Sequence, residues 1–344
     1  MKTFVVSSLR ENSGKTSVIV GLSENIKGRI GYVKPFGDRL IYSKKRLWDY
    51  DAALMTNLYN MADSPESMSI GFDHSKLRYM YNESSIKDKV IELAKEIGSS
   101  KDILFVEGGR AIPYGESVHL DSLSLARYLN GRLIFVTSGD DDTILDDILF
   151  VKKNVNLAGI HLAGVIVNKV QNAADFNEAC LPELKKLGIT VLGVLQHQSE
   201  LTYFSLEFLA EKLFAKVLAG ESNLRRTAEN IFIGAMSADT AMQKHLFKSE
   251  GMLIITGGDR TDMILAALES KAAGIILTNS IVPPANIVAR VEEAGTPMIL
   301  VNTDTYQVER QIEHLVPLLS SEDTGKVALL KSLILKHVTM EIMS

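Results

Sequence analysis

Thr3-Phe4-Val5-Val6-Ser7-Ser8-Leu9-Arg10-Glu11-Asn12-Ser13-Gly14-Lys15-Thr16-Ser17 joins a short apolar run to a Gly-Lys-Thr triplet that opens a stretch of helical spacing. A strand that enters a helix through such a loop is where a phosphate cradle forms. Backbone N–H groups at the helix start surround the phosphates, the lysine neutralises the β and γ oxygens, and the threonine hydroxyl holds Mg²⁺. Lys15 and Thr16 fit those two roles, and Asn12, Ser13, Gly14 and Ser17 line the cradle. The strict pattern G-x-x-x-x-G-K-[ST] is met only in part, because its first position is Leu9. An ordinary strand-to-helix loop is the competing reading.

Outward from this loop, strand-length apolar runs at 3–7, 30–34, 103–107, 133–137, 164–168 and 191–194 alternate with helical patterns at 15–25, 86–97, 122–128, 142–153 and 176–187. That alternation predicts an α/β fold built on a parallel sheet with flanking helices. A further helical pattern covers 206–218, and the polar stretch 219–226 marks a boundary near residue 220. Strands then restart at 231–236, 252–256, 274–278 and 298–302, with helices at 262–273 and 284–294. The expected organisation is a nucleotide-binding domain over 1–220, a smaller α/β domain over 221–325, and a C-terminal tail or helix over 326–344.

Composition narrows the function classes. The 344 residues are 46% hydrophobic and 23% charged, a folded globular balance. A net charge of −5 supplies no field for a nucleic-acid backbone or an anionic membrane, so neither is an expected partner. No apolar stretch approaches the roughly 20 residues a bilayer requires. Cys180 is the single cysteine, which excludes an intramolecular disulfide and fits a reducing, cytoplasmic setting.

Ligands of open α/β sheets gather at the carboxyl ends of strands. Glu107 ends the third predicted strand and could hold Mg²⁺, with an acidic helix cap as the alternative. Lys34 ends the second and could set an ammonium beside a phosphate or an acidic substrate, or stand solvated. Asp49 and Asp51, two residues apart, either share one side of an extended segment or flank a helix start, and either could be a second metal ligand. Asn168 ends the fifth strand, where an amide can read a base; no Asp follows at the spacing needed for guanine, which points to adenine. The acidic run Asp140-Asp141-Asp142 with Asp146 and Asp147 reads better as a helix start than as a metal cluster. No two histidines take the i, i+4 spacing of a helical zinc site.

On Ser13-Gly14-Lys15-Thr16, Lys34-Pro35, Asp49-Tyr50-Asp51-Ala52, Val106-Glu107-Gly108 and Val167-Asn168-Lys169, the first ~220 positions resemble the dethiobiotin synthetase-like P-loop domain. Around Thr256-Gly257-Gly258-Asp259-Arg260-Thr261, residues from about 221 to 325 resemble a DRTGG domain. The pair looks like the N-terminal regulatory portion of long phosphate acetyltransferases. The resemblance implies Lys15 on the phosphates, Thr16, Asp51 and Glu107 around Mg²⁺, and Asn168 at the adenine, with Lys15, Lys34 and Glu107 carrying any chemistry. It also implies a further C-terminal catalytic domain in those enzymes, so acetyl transfer is not expected of this chain.

Gly257, Gly258, Asp259 and Arg260 have two readings. The loop could hold an anion with Arg260 as a clamp. Alternatively the glycines form a tight turn, Asp259 caps the next helix and Arg260 pairs locally. The expected function is Mg²⁺-dependent ATP binding in a regulatory or sensory protein, whose second domain takes a small-molecule effector or joins copies into a homo-oligomer. The alternatives are an ATP-dependent ligase that activates a small carboxylate or carbamate, and a nucleotide-free assembly protein.

Overall fold

The computed structural model describes residues 1–43 and 45–343. They form two compact units, one of residues 1–198 with 319–344 and one of residues 199–318.

The first unit runs β1 (Lys2–Ser8), α1 (Lys15–Ser23), β2 (Ile30–Val33), a hairpin of β3 (Leu40–Ser43) and β4 (Arg46–Asp49), α2 (Tyr50–Tyr59), α3 (His74–Met80) and α4 (Glu83–Gly98). It continues through β5 (Ile103–Glu107), α5 (Ser122–Leu129), β6 (Arg132–Thr137), α6 (Asp141–Asn154), β7 (His161–Val170), α7 (Ala173–Ala179), α8 (Leu181–Lys186) and β8 (Val191–Gln196). The six-stranded sheet has the order β2-β5-β1-β6-β7-β8 and is parallel throughout. Near-continuous apolar strands such as Ile103–Glu107, buried at every position, suit a sheet covered on both faces. From β1 the chain crosses to β2 on one side of the sheet, whereas from the neighbouring β6 it continues to β7 on the other, so the connections of these two adjacent strands leave in opposite directions. That opens a crevice at the carboxyl end of β1, where the Gly-Lys-Thr loop sits.

The second unit holds β9 (Phe204–Ser205), α9 (Leu206–Lys212), β10 (Lys216–Ala219), β11 (Thr227–Ala228), β12 (Asn230–Ile233), α10 (Ala238–Met242), β13 (Met252–Gly257), α11 (Thr261–Glu269), β14 (Gly274–Thr278), α12 (Ala285–Glu293), β15 (Met298–Leu300) and α13 (Thr305–Glu313). Its five-stranded sheet has the order β10-β15-β14-β13-β12, with only β10 antiparallel to its neighbour. A core lies on each face, one around Phe247, Met263 and Ile275, the other around Leu209, Ile276 and Val308.

Three sequence expectations change. The stretch 206–218 is not one helix: α9 stops at Lys212 and residues 216–219 form β10, which pairs with β15. The boundary expected near residue 220 therefore falls at Ser199. The helical pattern 176–187 breaks at Cys180 into α7 and α8, because Pro182 in the first turn of α8 supplies no N–H to continue a single helix.

The C-terminal stretch belongs to the first unit. α14 (Thr324–His337) lies against α1 so closely that a Cβ on Gly21 would stand 2.5 Å from Ile334 Cγ1. Asn25 Nδ2 donates to Lys331 O at 2.9 Å, and Thr339 N–H donates to Leu192 O at 2.8 Å beside the edge strand β8. Among the described residues, no helix is long and apolar enough to cross a membrane.

Candidate functional site: a Gly-Lys-Thr loop over a buried ionic cluster

The loop turns without a glycine at its first position. β1 continues to Ser8, and Leu9 N–H still donates to Val136 O at 3.1 Å, so Leu9 prolongs the pairing of β1 with β6 and packs on the core. The two left-handed positions fall later, at Asn12 (φ 58) and Gly14 (φ 89). Asparagine tolerates that region, and Gly14 is required twice over, since a Cβ there would lie 2.5 Å from Asn168 Nδ2.

Neighbouring elements hold the loop in place. Asn168 Nδ2 donates to Ser13 O at 2.9 Å, and its Oδ1 accepts from Lys169 N–H at 3.0 Å. Lys169 Nζ donates to Asn12 O at 2.6 Å, Arg39 Nη2 to Asn12 Oδ1 at 3.1 Å, and Arg10 Nε pairs with Asp147 on α6 at 2.7 Å. Asn168 thus braces the cradle from β7, with both ends of its amide engaged. The acidic run before α6 acts as a helix start: Asp140 Oδ1 caps through Thr143 N–H at 2.8 Å.

Lys15 is buried at the start of α1, donating to Ser8 Oγ at 2.9 Å and reaching Arg110 O at 3.5 Å. Burial holds its ammonium below the ordinary lysine range, with nearby Lys34 adding to the effect. Thr16 Oγ1 donates to Glu107 Oε1 at 3.0 Å, and Tyr32 OH donates to Glu107 Oε2 at 2.9 Å. The loop hydroxyl and the carboxylate at the end of β5 therefore meet. Burial, followed by the negative field of Asp51, raises the Glu107 carboxyl from 4.5 to about 7.

Beneath them lies an ionic cluster. Lys34 Nζ stands 2.5 Å from Asp38 Oδ1, 2.5 Å from Asp51 Oδ2 and 3.4 Å from Asp49 Oδ2. Asp51 also meets Arg39 Nη1 at 3.4 Å. Burial opposes the charge on Lys34, but Asp51, Glu107, Asp49 and Asp38 outweigh it and hold the ammonium well above its ordinary pKa. Asp51 moves the other way: burial works against its charge, and Lys34 and Arg39 overcome it. Asp49 is the N-cap of α2, its Oδ1 accepting from Asp51 N–H at 2.9 Å and Ala52 N–H at 3.3 Å. Its Oδ2 accepts from Asp38 N–H at 3.0 Å and Arg39 N–H at 3.1 Å. Carboxylate oxygens of Asp38, Asp49 and Asp51 lie within 4.8 Å of one another, but the Lys34 ammonium occupies the space among them.

The structure brings Lys15, Thr16, Glu107, Lys34 and Asp51 to one place. Asp38, Arg39, Tyr32 and Arg110 join them without having been singled out in the sequence. The sequence signal for Asp38 is its i, i+4 spacing from Lys34, and the pair lies in a buried loop rather than on a helix. Beside the loop is a cavity of about 490 Å³ lined by Glu11, His74, Arg110, Tyr114 and Glu116 among others. Tyr114 stacks on Phe36 at 5.0 Å there, and Arg110 lies over the Tyr114 ring at 5.5 Å.

In the second unit, the Arg260 guanidinium is taken up locally by Gly234 O (3.1 Å), Met236 O (2.8 Å) and the Asp262 carboxylate (3.0 and 2.9 Å). Asp259 does not cap α11, which starts after Arg260 with no side-chain cap. Gly258 is fixed by close approach, because a Cβ there would meet Ile281 O at 1.7 Å.

A parallel α/β sheet with a Gly-Lys-Thr loop at its switch point and a carboxylate facing the loop hydroxyl is a P-loop domain, here followed by a second α/β unit. The chain belongs to the AAA domain family of dethiobiotin synthetase-like P-loop type, which matches residues 2–204, and a DRTGG domain matches residues 208–315. Phosphate acetyltransferases are similar along nearly the whole chain. That of Synechocystis sp. is 24% identical over 94% of this chain and 48% of its own length, and that of Pseudomonas putida 24% over 98% and 51%. The ATP-dependent dethiobiotin synthetase BioD of Bacillus subtilis is 25% identical over 59% of this chain and 90% of its own. The chain spans about half the length of the phosphate acetyltransferases it matches along most of its length.

Proposed function

We propose that this chain is a Mg²⁺-dependent ATP-binding protein with a regulatory role, in which the first unit takes the nucleotide and the DRTGG unit takes a small-molecule effector. One observation carries the nucleotide reading: Lys15 and Thr16 open α1 at the switch point, with Thr16 Oγ1 at 3.0 Å from Glu107 Oε1. A hydroxyl and a carboxylate of this kind suit Mg²⁺, which binds through one or two protein oxygens and completes its shell with phosphates and water. Thr16 and Glu107 would hold the ion. Asp51 is committed to Lys34 and Arg39, so it joins the ion only by leaving them. Bound Mg²⁺ would neutralise phosphate charge, and Lys15 would supply the second cation beside it.

Calorimetric titration of Mg-ATP, Mg-ADP and Mg-GTP tests this reading. Mg-ATP is expected to bind the native protein, and binding is expected to vanish in Lys15→Ala with the fold unchanged by circular dichroism. Equal affinity in that variant, or no binding to the native protein, overturns it. A ligase is the second reading, favoured by the 490 Å³ cavity beside the loop, where an arginine, a histidine and two glutamates could orient a small acidic or amine substrate. It predicts ADP release that depends on adding such a compound.

A further inference from the structure

An aromatic side chain in the second unit stands where helix endings favour glycine. At the end of α9, Ala215 N–H donates to Ala210 O at 2.8 Å and Phe214 N–H to Glu211 O at 3.2 Å. These are the paired bonds of a Schellman ending, whose left-handed residue is usually glycine because a Cβ is disfavoured there. Here that residue is Phe214, at φ 51. Leu213 beside it is buried, whereas Phe214 is 95% exposed. Lys212 and Lys216 flank it, Lys212 lying over the Phe208 ring and pairing with Glu211 at 3.1 Å. An unfavourable backbone conformation thus holds one apolar knob outward between two ammonium groups.

The same unit contains a matching recess. A cavity of about 420 Å³ is walled by Phe204, Ile231, Ile233 and Ile312, with Glu309 and Glu313 beside them. Glu313 also engages Arg310 at 2.8 Å. The recess adjoins β12, one edge of the five-stranded sheet, while Phe214 lies two residues ahead of β10, the other edge. A lone exposed apolar residue needs no explanation. A strained one between lysines, on a unit whose far edge carries an apolar recess with glutamates, is complementary to a second copy of the same surface.

We propose that Phe214 of one copy enters the recess of a second copy, with Lys212 and Lys216 facing Glu309 and Glu313. Knob and recess lie at opposite edges of the sheet, so the contact is heterologous, and each copy gives one knob and receives another. Burial of the ring supplies most of the affinity, because exposed ion pairs contribute little and serve mainly to orient.

Sedimentation velocity on the full chain tests this. The native protein should assemble as its concentration rises to about 100 μM. Phe214→Gly should lower the association constant about tenfold or more while its melting temperature rises, since glycine relieves the left-handed position. Ile231→Arg, at a half-exposed position, should block the recess equally. Mixed together, the two variants retain one good recess and one good knob, and should form a 1:1 dimer and nothing larger. A monomeric native protein, native-like assembly of Phe214→Gly, or failure of the mixture to dimerise would each overturn the proposal.

Discussion

Glu107 combines two demands that pull against each other. To face Thr16 its carboxyl must sit at the buried end of β5, yet burial, then the field of Asp51, penalises its charge and lifts its pKa from 4.5 to about 7, while Lys34 and Lys15 oppose the rise. Between those two values the folded chain keeps a proton that the unfolded chain has released. Folding is therefore favoured toward the acid end of this window, and stability falls as pH rises through it. The contribution is on the order of 3 kcal/mol. Glu107→Gln keeps partners for Thr16 and Tyr32 but cannot ionise, so urea midpoints of this variant should change less between pH 5 and pH 7.5 than those of the native chain. An unchanged difference would place the shifted proton elsewhere.

Helix α1 carries the loop at one end and is backed by α14 along its side. Ile334 is 1% exposed, and the glycine at position 21 lets the two helices approach. Ile334→Ala should cost about 2–5 kcal/mol, the range for emptying a well-packed aliphatic site, and should lower the urea midpoint of the first unit. A cost under 1 kcal/mol would mean that the helices close the gap. How far such elements can be read from sequence depends on the range of the forces that make them. The strands and the Gly-Lys-Thr loop were legible because their signals are local: apolar runs of strand length and a triplet at a strand-to-helix junction. The end of α9 was not, because the residue that stops it is Phe214, whose side chain carries no helix-breaking signal, and the apolar spacing runs on into β10. The return of α14 to α1 was equally hidden, since it joins segments about 300 positions apart. Within the site, Thr16 and Glu107 could be paired from their places at strand ends. The occupation of the aspartate cluster by Lys34 depends on loop geometry that no spacing records.

At the scale of the whole molecule, residues 199–318 are inserted between β8 and α14 of a P-loop unit, and each unit has its own apolar core. The first unit carries the Gly-Lys-Thr loop, so a ligand bound there stabilises that unit by mass action. At a hundredfold excess of Mg-ATP over its Kd the gain is about 2.7 kcal/mol. Differential scanning calorimetry should show two transitions, because each unit has a separate core to melt, and Mg-ATP should raise one of them. Ile334→Ala marks which one, since it lowers the transition of the unit built from α1 and α14. If Mg-ATP raises the transition that this variant lowers, the nucleotide acts where the loop lies. If it raises the other, ATP binds the DRTGG unit instead, and the roles proposed for the two units exchange.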